Sequence, residues 1–256
     1  MAIASSSLAF KRAALMSATK VTTKPPSEEV LRAREDFKDF CVFMGKAPAK
    51  HMLEWHNELC TGEDSECLIG IGGPNTSILA PRGSAKSTVL GLFAAWMIGR
   101  HAAAKQMLRI LYIAYMVDIS RAKSATIKGI LTSSKYREIF PMVRLSKIKR
   151  SDEYWSIDYD FAGIDTAGEE AFTIACGGLK GAITSKRSQL VLIDDPIKSA
   201  ASINNPDIRR EMEQTWSNVI APTMFQGARA ICLGTRFHFN DIHATLFIPK
   251  NNWRQI

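Results

Sequence analysis

No apolar run in this sequence is long enough to cross a bilayer: the longest, around Val89 to Ile98, is about half of the ~18 residues such a span needs. A membrane-spanning helix is excluded, and a soluble protein is expected. The opening Met1-Ala-Ile-Ala-Ser-Ser-Ser-Leu-Ala-Phe has some signal-peptide character, but Lys11 and Arg12 stand where a cleavage site would be needed, so no targeting segment is expected. Cysteine is sparse and odd in number: Cys41, Cys60, Cys67, Cys176 and Cys232 form no C-x-x-C pair. That argues against zinc ribbons and disulfide scaffolds and fits reduced thiols in a cytosolic protein. Internal repeats are absent. Acids are the minority, 25 against 33 Lys and Arg, for a formal charge of +8. The excess favours a polyanionic partner, nucleic acid first among them. What is present is ordinary globular composition, 256 residues and 46% hydrophobic, with room for one large domain or two small ones.

Glycine is also missing where one motif would want it. Ser77-Ile78-Leu79-Ala80-Pro81-Arg82-Gly83-Ser84-Ala85-Lys86-Ser87-Thr88 is a short apolar run, a small-residue turn, and Lys-Ser-Thr opening an apolar helix. It reads as a phosphate-binding loop spanning Pro81 to Thr88. Backbone N–H groups of such a turn and the helix N-terminus behind it cradle a polyphosphate, Lys86 reaches the outer phosphates, and Ser87 ligates Mg²⁺. Against G-x-x-x-x-G-K-[ST], Ala80 and Ala85 replace both glycines, and Gly83 alone supplies conformational freedom. By itself the stretch is equally an ordinary strand–turn–helix with a surface lysine.

Gln189-Leu190-Val191-Leu192-Ile193-Asp194-Asp195-Pro196 supplies the second half. A continuous apolar run ending in two acids describes a central parallel strand opening onto a ligand crevice. Asp194 can hold Mg²⁺, and Asp195 can polarise the attacking water. In isolation such a stretch is more commonly a strand ending in a solvated Asp-Asp-Pro turn. Two halves of one ATP and Mg²⁺ site, in the right order, reinforce each other.

Along the rest of the chain, residues 1–27 are expected to be a mobile basic arm ending in Pro25-Pro26, and 28–256 a single P-loop ATPase domain. Ser27-Glu28-Glu29 reads as a helix start, with Leu31, Phe37, Phe40 and Val42 along the segment, and Lys50 to Leu59 as a second helix. Trp55 on that second helix either stacks on an adenine or packs into the core. A turn at Gly70 to Asn75 leads into the loop strand, and Leu108 to Met116, Tyr154 to Phe161, Ala171 to Cys176 and Ala228 to Thr235 are the other expected strands. Asp118 and Ser120 are expected to cap a helix from Ile119 to about Leu131. Lys147-Ile148-Lys149-Arg150 is either a solvated face or a DNA-backbone contact. Strands alternating with helices imply an α/β fold with a mainly parallel sheet and its site at the strands' C-terminal edge.

Three motifs in register, Ala-Pro-Arg-Gly-Ser-Ala-Lys-Ser-Thr, Gly-Leu-Lys-Gly…Lys-Arg-Ser-Gln-Leu-Val-Leu-Ile-Asp-Asp-Pro and Leu-Gly-Thr-Arg-Phe-His-Phe-Asn-Asp, resemble the ATPase domain of tailed-phage large terminases, the short-tailed-phage variant above all. The resemblance covers roughly residues 40 to 245. It implies a RecA-like, additional-strand P-loop ATPase that drives double-stranded DNA into a procapsid. It also implies a homo-oligomeric ring, commonly a pentamer, docked on the portal protein in the host cytoplasm and working with a small terminase subunit. By position, Lys86 and Ser87 match the phosphate-loop pair, Asp194 the Mg²⁺ aspartate, Asp195 the catalytic acid, and Thr235 the coupling residue. Arg82 matches the arginine inside the loop. Arg187 lies in a segment resembling the one that carries a trans-acting arginine, with Lys180 as the weaker alternative. Such terminases also carry a nuclease domain of clustered acids; beyond Thr235 the only acid here is Asp241, so DNA cleavage is not carried over. Two other readings share the nucleotide motifs: a superfamily 2 helicase-type or other RecA-like DNA-dependent ATPase, and a non-hydrolysing module that binds DNA or the portal.

Overall fold

Along Ser188–Asp194, Leu190 and Leu192 belong to one apolar layer and Val191 and Ile193 to the other, so this strand is buried on both faces. It is the sixth of eight strands among the described residues: β1 (Asn75–Leu79), β2 (Ile110–Ala114), β3 (Leu145–Arg150), β4 (Tyr154–Ile157), β5 (Ile174–Gly178), β6 (Ser188–Asp194), β7 (Met224–Gly234) and β8 (Trp253–Gln255). The structure, a computed structural model, describes residues 25–60, 72–180 and 186–256. The arm up to residue 24, Cys67, the Gly70-Ile71 start of the expected turn and the Gly181–Ser185 stretch lie outside the described residues.

The strands form one sheet in the order β3-β4-β5-β2-β6-β7-β1-β8. The six from β5 to β8 are parallel, while β3 and β4 add an antiparallel edge. β7 therefore lies between the strand that feeds the phosphate loop and the strand that ends in Asp194, which is the additional-strand arrangement expected from the sequence. Among the described residues ten α-helices accompany the sheet: α1 (Glu28–Glu35), α2 (Phe37–Phe43), α3 (Leu53–Leu59), α4 (Lys86–Ala103), α5 (Val117–Thr132), α6 (Ser134–Ile139), α7 (Tyr159–Ala162), α8 (Ala200–Ile203), α9 (Pro206–Thr215) and α10 (Ile242–Thr245). Helices α1 to α7 cover one face, with Phe37, Phe40, Phe93, Trp96 and Tyr136 in its core; α8 to α10 and the π-helical turn Trp216–Ile220 cover the other.

Several boundaries differ from the sequence reading for local reasons. Asp36 ends α1 and caps α2 by accepting from Asp39 N–H at 2.8 Å, dividing the first helical segment in two. α5 begins at Val117 with no side-chain cap: Asp118 pairs with Arg121 at 2.9 Å and Ser120 donates to Val117 O, so neither caps the helix. The strand expected to run to Phe161 stops at Ile157, because Asp158 accepts from Phe161 N–H and starts α7. The Lys-Ile-Lys-Arg stretch is the outer strand β3, with Ile148 91% exposed. At the loop-strand entry, buried Arg229 on β7 donates to Pro74 O, Leu59 O, Glu58 O and Thr76 Oγ1, tying α3 and β1 to the sheet centre. Burial lowers its pKa to about 10. Cys41, Cys176 and Cys232 are buried free thiols.

Candidate nucleotide-binding cleft

Parallel strands deliver their C-terminal ends to one edge of the sheet, and here β1, β6 and β7 end side by side. β1 runs out at Leu79 into the turn Ala80–Ala85, after which α4 begins at Lys86. Gly83 takes φ +82°, as its freedom allows, but Ala85 also sits in the left-handed region at φ 59°. The loop thus keeps the backbone of the glycine pattern with an alanine in the second position, at a cost of about 1–2 kcal/mol.

Lys86 is only 4% exposed, and its ammonium is turned back along the loop. Nζ donates to Ala80 O at 3.2 Å, Pro81 O at 2.9 Å and Thr235 Oγ1 at 3.0 Å, and lies 3.6 Å from Asp195 Oδ1. Thr235, the first residue past β7, donates in turn to Ala80 O at 2.9 Å. The approach to Thr235 is tight: a Cβ at Gly234 would meet the His243 ring at 2.5 Å and Pro196 Cδ at 3.1 Å, so only glycine fits there. Asp195 adopts φ 42°, a conformation a non-glycine residue holds only under constraint; its N–H is bonded to Leu233 O at 2.9 Å.

Asp194 is buried to 1% exposure and has both oxygens engaged. Oδ1 accepts from Ser87 Oγ at 2.9 Å and Oδ2 from the Tyr112 hydroxyl at 3.1 Å. Burial pushes the Asp194 pKa above the usual carboxylate range and Asp195 adds to that, while the Ser87 and Tyr112 hydrogen bonds and the Lys123 charge oppose it. Desolvation, then the neighbouring Asp194 carboxylate, holds the Tyr112 phenol protonated well above its ordinary range. One hydroxyl and one carboxylate side by side, with an Asp195 oxygen nearby that is buried and has no hydrogen-bond partner, suit Mg²⁺, which takes few protein oxygens and completes its shell with phosphate and water. Among the described residues no cluster of three or more His, Cys, Asp or Glu could hold a metal by itself.

Lys86, Ser87, Asp194 and Asp195 open onto a cleft of about 480 Å³. Arg82 lies at its margin, its guanidinium 5.0 Å over the Phe237 ring and donating to Lys198 O. Ser84 braces the loop by donating to Pro81 O at 2.7 Å, and Thr88 lines the cleft beyond Ser87. Two sequence candidates are placed elsewhere. Trp55 is buried in the core at 6% exposure, edge-on to His51, so its indole packs and does not line the cleft. Arg187 stands at the start of β6, the end opposite Asp194, with its guanidinium 5.2 Å over Phe225. Conversely, Tyr112, Tyr115, Ile119 and Lys123 border the site without having been singled out from the sequence. Period-two burial puts Tyr112 on the same face of β2 as Ile110, but nothing local marks it as a partner of Asp194.

No protein-family model matches the chain, and no curated protein matches it. In structure it is similar to large terminase ATPase domains of several phages. The ATPase domain of the Thermus phage P74-26 large terminase is 16% identical, with 77% of this chain and 69% of that one covered, at a TM-score of 0.43. The large terminase of a thermophilic bacteriophage in complex with ATP-gamma-S is 10% identical at a TM-score of 0.44; 91% of this chain is covered, and it spans 44% of that protein. The N-terminal domain of the DNA packaging ATPase from bacteriophage phi29 is 14% identical, with 70% and 80% covered, at a TM-score of 0.41.

Proposed function

We propose that this chain is the ATP-hydrolysing motor domain of a viral terminase and moves double-stranded DNA into a procapsid. The observation that carries the reading is the convergence of Lys86 and Ser87, Asp194 and Asp195, and Thr235, drawn from three separate motifs, within hydrogen-bonding or ion-pairing distance of one another.

The triphosphate seats on the backbone N–H groups of the Ala80–Ala85 turn and the N-terminus of α4. Lys86 turns from the loop carbonyls to the outer phosphate oxygens, and Arg82 bears on the γ-phosphate from the cleft margin. Asp195 accepts a proton from the water whose oxygen attacks the γ-phosphorus; the bond to the bridging oxygen breaks and ADP departs with phosphate. Ser87 and Asp194 would hold Mg²⁺, which when bound offsets the charge of the phosphate oxygens. Thr235 senses the change because Lys86 is its partner before the phosphates arrive. The ATPase lies within residues 28–256, with 1–27 as an arm; the portal protein, a small terminase subunit and sister copies in a ring are the other partners. Nuclease activity is not assigned to this chain.

Phosphate release, measured with and without duplex DNA, tests the reading. Wild type should turn over ATP, and Lys86→Ala should lose both nucleotide affinity and turnover, because that side chain contacts phosphates in ground and transition states alike. Asp195→Asn should keep Mg·ATP binding and lose turnover by ~10²–10⁴-fold, the range for a general base. No turnover under either condition would favour a non-hydrolysing module that binds DNA or the portal.

A further inference from the structure

We propose that Lys123 is a catalytic residue of this cleft, a cation supplied by the same subunit to the outermost phosphate; the inference rests on the ATPase reading above. Lys123 occupies the second turn of α5, the helix that follows β2, and β2 lies directly beside the Asp194 strand. Side chains on a helix lean toward its N-terminus, which here is the end nearest the sheet's C-terminal edge. Lys123 accordingly lines the main cleft with Lys86, Asp194 and Asp195, and with Ser87 and Thr88 it also borders an adjoining cavity of about 330 Å³. Its charge reaches the Asp194 carboxylate, favouring the ionised form.

The other cations around it are committed or exposed. Arg121 on the same helix is bound to Asp118 and Glu153, and Lys128 to Asp152 and two backbone carbonyls. In the cleft, the three donors of Lys86 are filled by Ala80, Pro81 and Thr235, Arg82 is bonded to Lys198 O, and Lys198 itself is exposed. Lys123 is half-buried and, among the described residues, makes no hydrogen bond or ion pair. The hydrogen-bond partners of Asp194 are Ser87 and Tyr112 and not Lys123. A partly desolvated ammonium with no partner among the described residues is suited to take an anion in the cleft. The cleft it lines is the one read here as the seat of a triphosphate. Placed across that cleft from the loop, it would meet charge developing on the transferred phosphoryl group, where one preorganised donor is worth ~10²–10³ in rate.

The test compares wild type, Lys123→Ala and Lys123→Gln, the last keeping most of the aliphatic stem, with melting temperature recorded for each. Binding is measured for Mg·ADP alone and for Mg·ADP with aluminium fluoride, which mimics the transferring phosphoryl group, and turnover is followed by phosphate release. Expected are unchanged ADP affinity, affinity for the aluminium fluoride complex at least ~10-fold weaker, and kcat ~10²-fold lower in both variants. A Lys123→Gln protein that melts like wild type and retains both kcat and the aluminium fluoride complex overturns the inference. If Lys86→Ala meanwhile abolishes turnover, only the role of Lys123 falls. If wild type binds neither ADP nor its aluminium fluoride complex, the ATPase reading and this inference fall together.

Discussion

Lys86 Nζ lies 3.0 Å from Thr235 Oγ1, joining two residues 149 positions apart and linking the first turn of α4 to the end of β7. The contact exists because β7 is parallel to β1 and beside it, with Leu79 opposite Gly234. Thr235 is thereby bound to the loop from both directions, accepting from Lys86 and donating to Ala80 O.

Thr235→Val removes both bonds with little change of volume. Lys86 then has one partner fewer to surrender when phosphate arrives, and a hydrogen bond to a charged group is worth about 1.5–3 kcal/mol. On the proposed ATPase reading, nucleotide should therefore bind more tightly, by about 10-fold. Titration of a fluorescent ADP analogue against both proteins checks it; equal affinities would sever Thr235 from the phosphate seat.

Tyr112→Phe removes only the hydroxyl that donates to Asp194 Oδ2, leaving the ring in a fully buried strand. Groups that orient a metal-binding carboxylate are worth about 10–100-fold in metal affinity. The variant should weaken Mg²⁺-dependent ATP binding by about that factor while leaving Mg²⁺-free binding and the melting temperature nearly unchanged. Loss of binding in the absence of Mg²⁺ would instead make Tyr112 a packing residue.

Motif order was legible because each motif is local: a Lys-Ser-Thr helix start, an apolar run ending in Asp194 and Asp195, a strand ending in Thr235. Parallel strands then bring the three ends to one edge without further information. Tyr112 and Lys123 are not legible in the sequence because they approach the site only through the pairing of β2 with β6, which no local spacing records. Trp55 was ambiguous for the opposite reason, since an aromatic on a short helix looks the same whether it faces a ligand or, as here, the core. The alanine at position 85 blurred the loop pattern, yet the backbone kept the left-handed turn.

Buried histidines set an acid limit on stability. Burial, then the charge of Arg100, lowers the His101 pKa to about 3, and burial lowers that of His243 to about 4. In the unfolded chain both return to about 6.5. The unfolded state therefore binds more protons between about 6.5 and 4, and stability that is full above this window is lost as pH falls through it, by up to about 1.4 kcal/mol per pH unit for each histidine. The raised Asp194 pKa works in the opposite sense, favouring the folded state as pH falls through its raised value. Urea unfolding at pH 7, 6 and 5 should show the decline. His101→Met, at a ring whose Nδ1 has no partner, should flatten it by about one proton; an unchanged slope would mean that His101 is protonated in the fold.

Arg187 stands at the start of β6, seven residues before Asp194, so about 20 Å of strand separate it from the cleft of its own subunit. It cannot serve that cleft. Exposed and laid over Phe225, it is available either to DNA or to a neighbouring copy. In a closed ring every subunit presents the same edge to the next, and an arginine finger supplied this way is worth ~10³–10⁵ in rate. If Arg187 is that finger, Arg187→Ala and Asp195→Asn should each be inactive alone. Mixed, they should regain activity, because an Arg187→Ala subunit keeps its Asp195 and can receive Arg187 from an Asp195→Asn neighbour. Phosphate release from mixed rings of verified composition reads this directly. Absence of recovery, together with weaker duplex binding by Arg187→Ala and a shallower salt dependence, would assign the side chain to the DNA backbone.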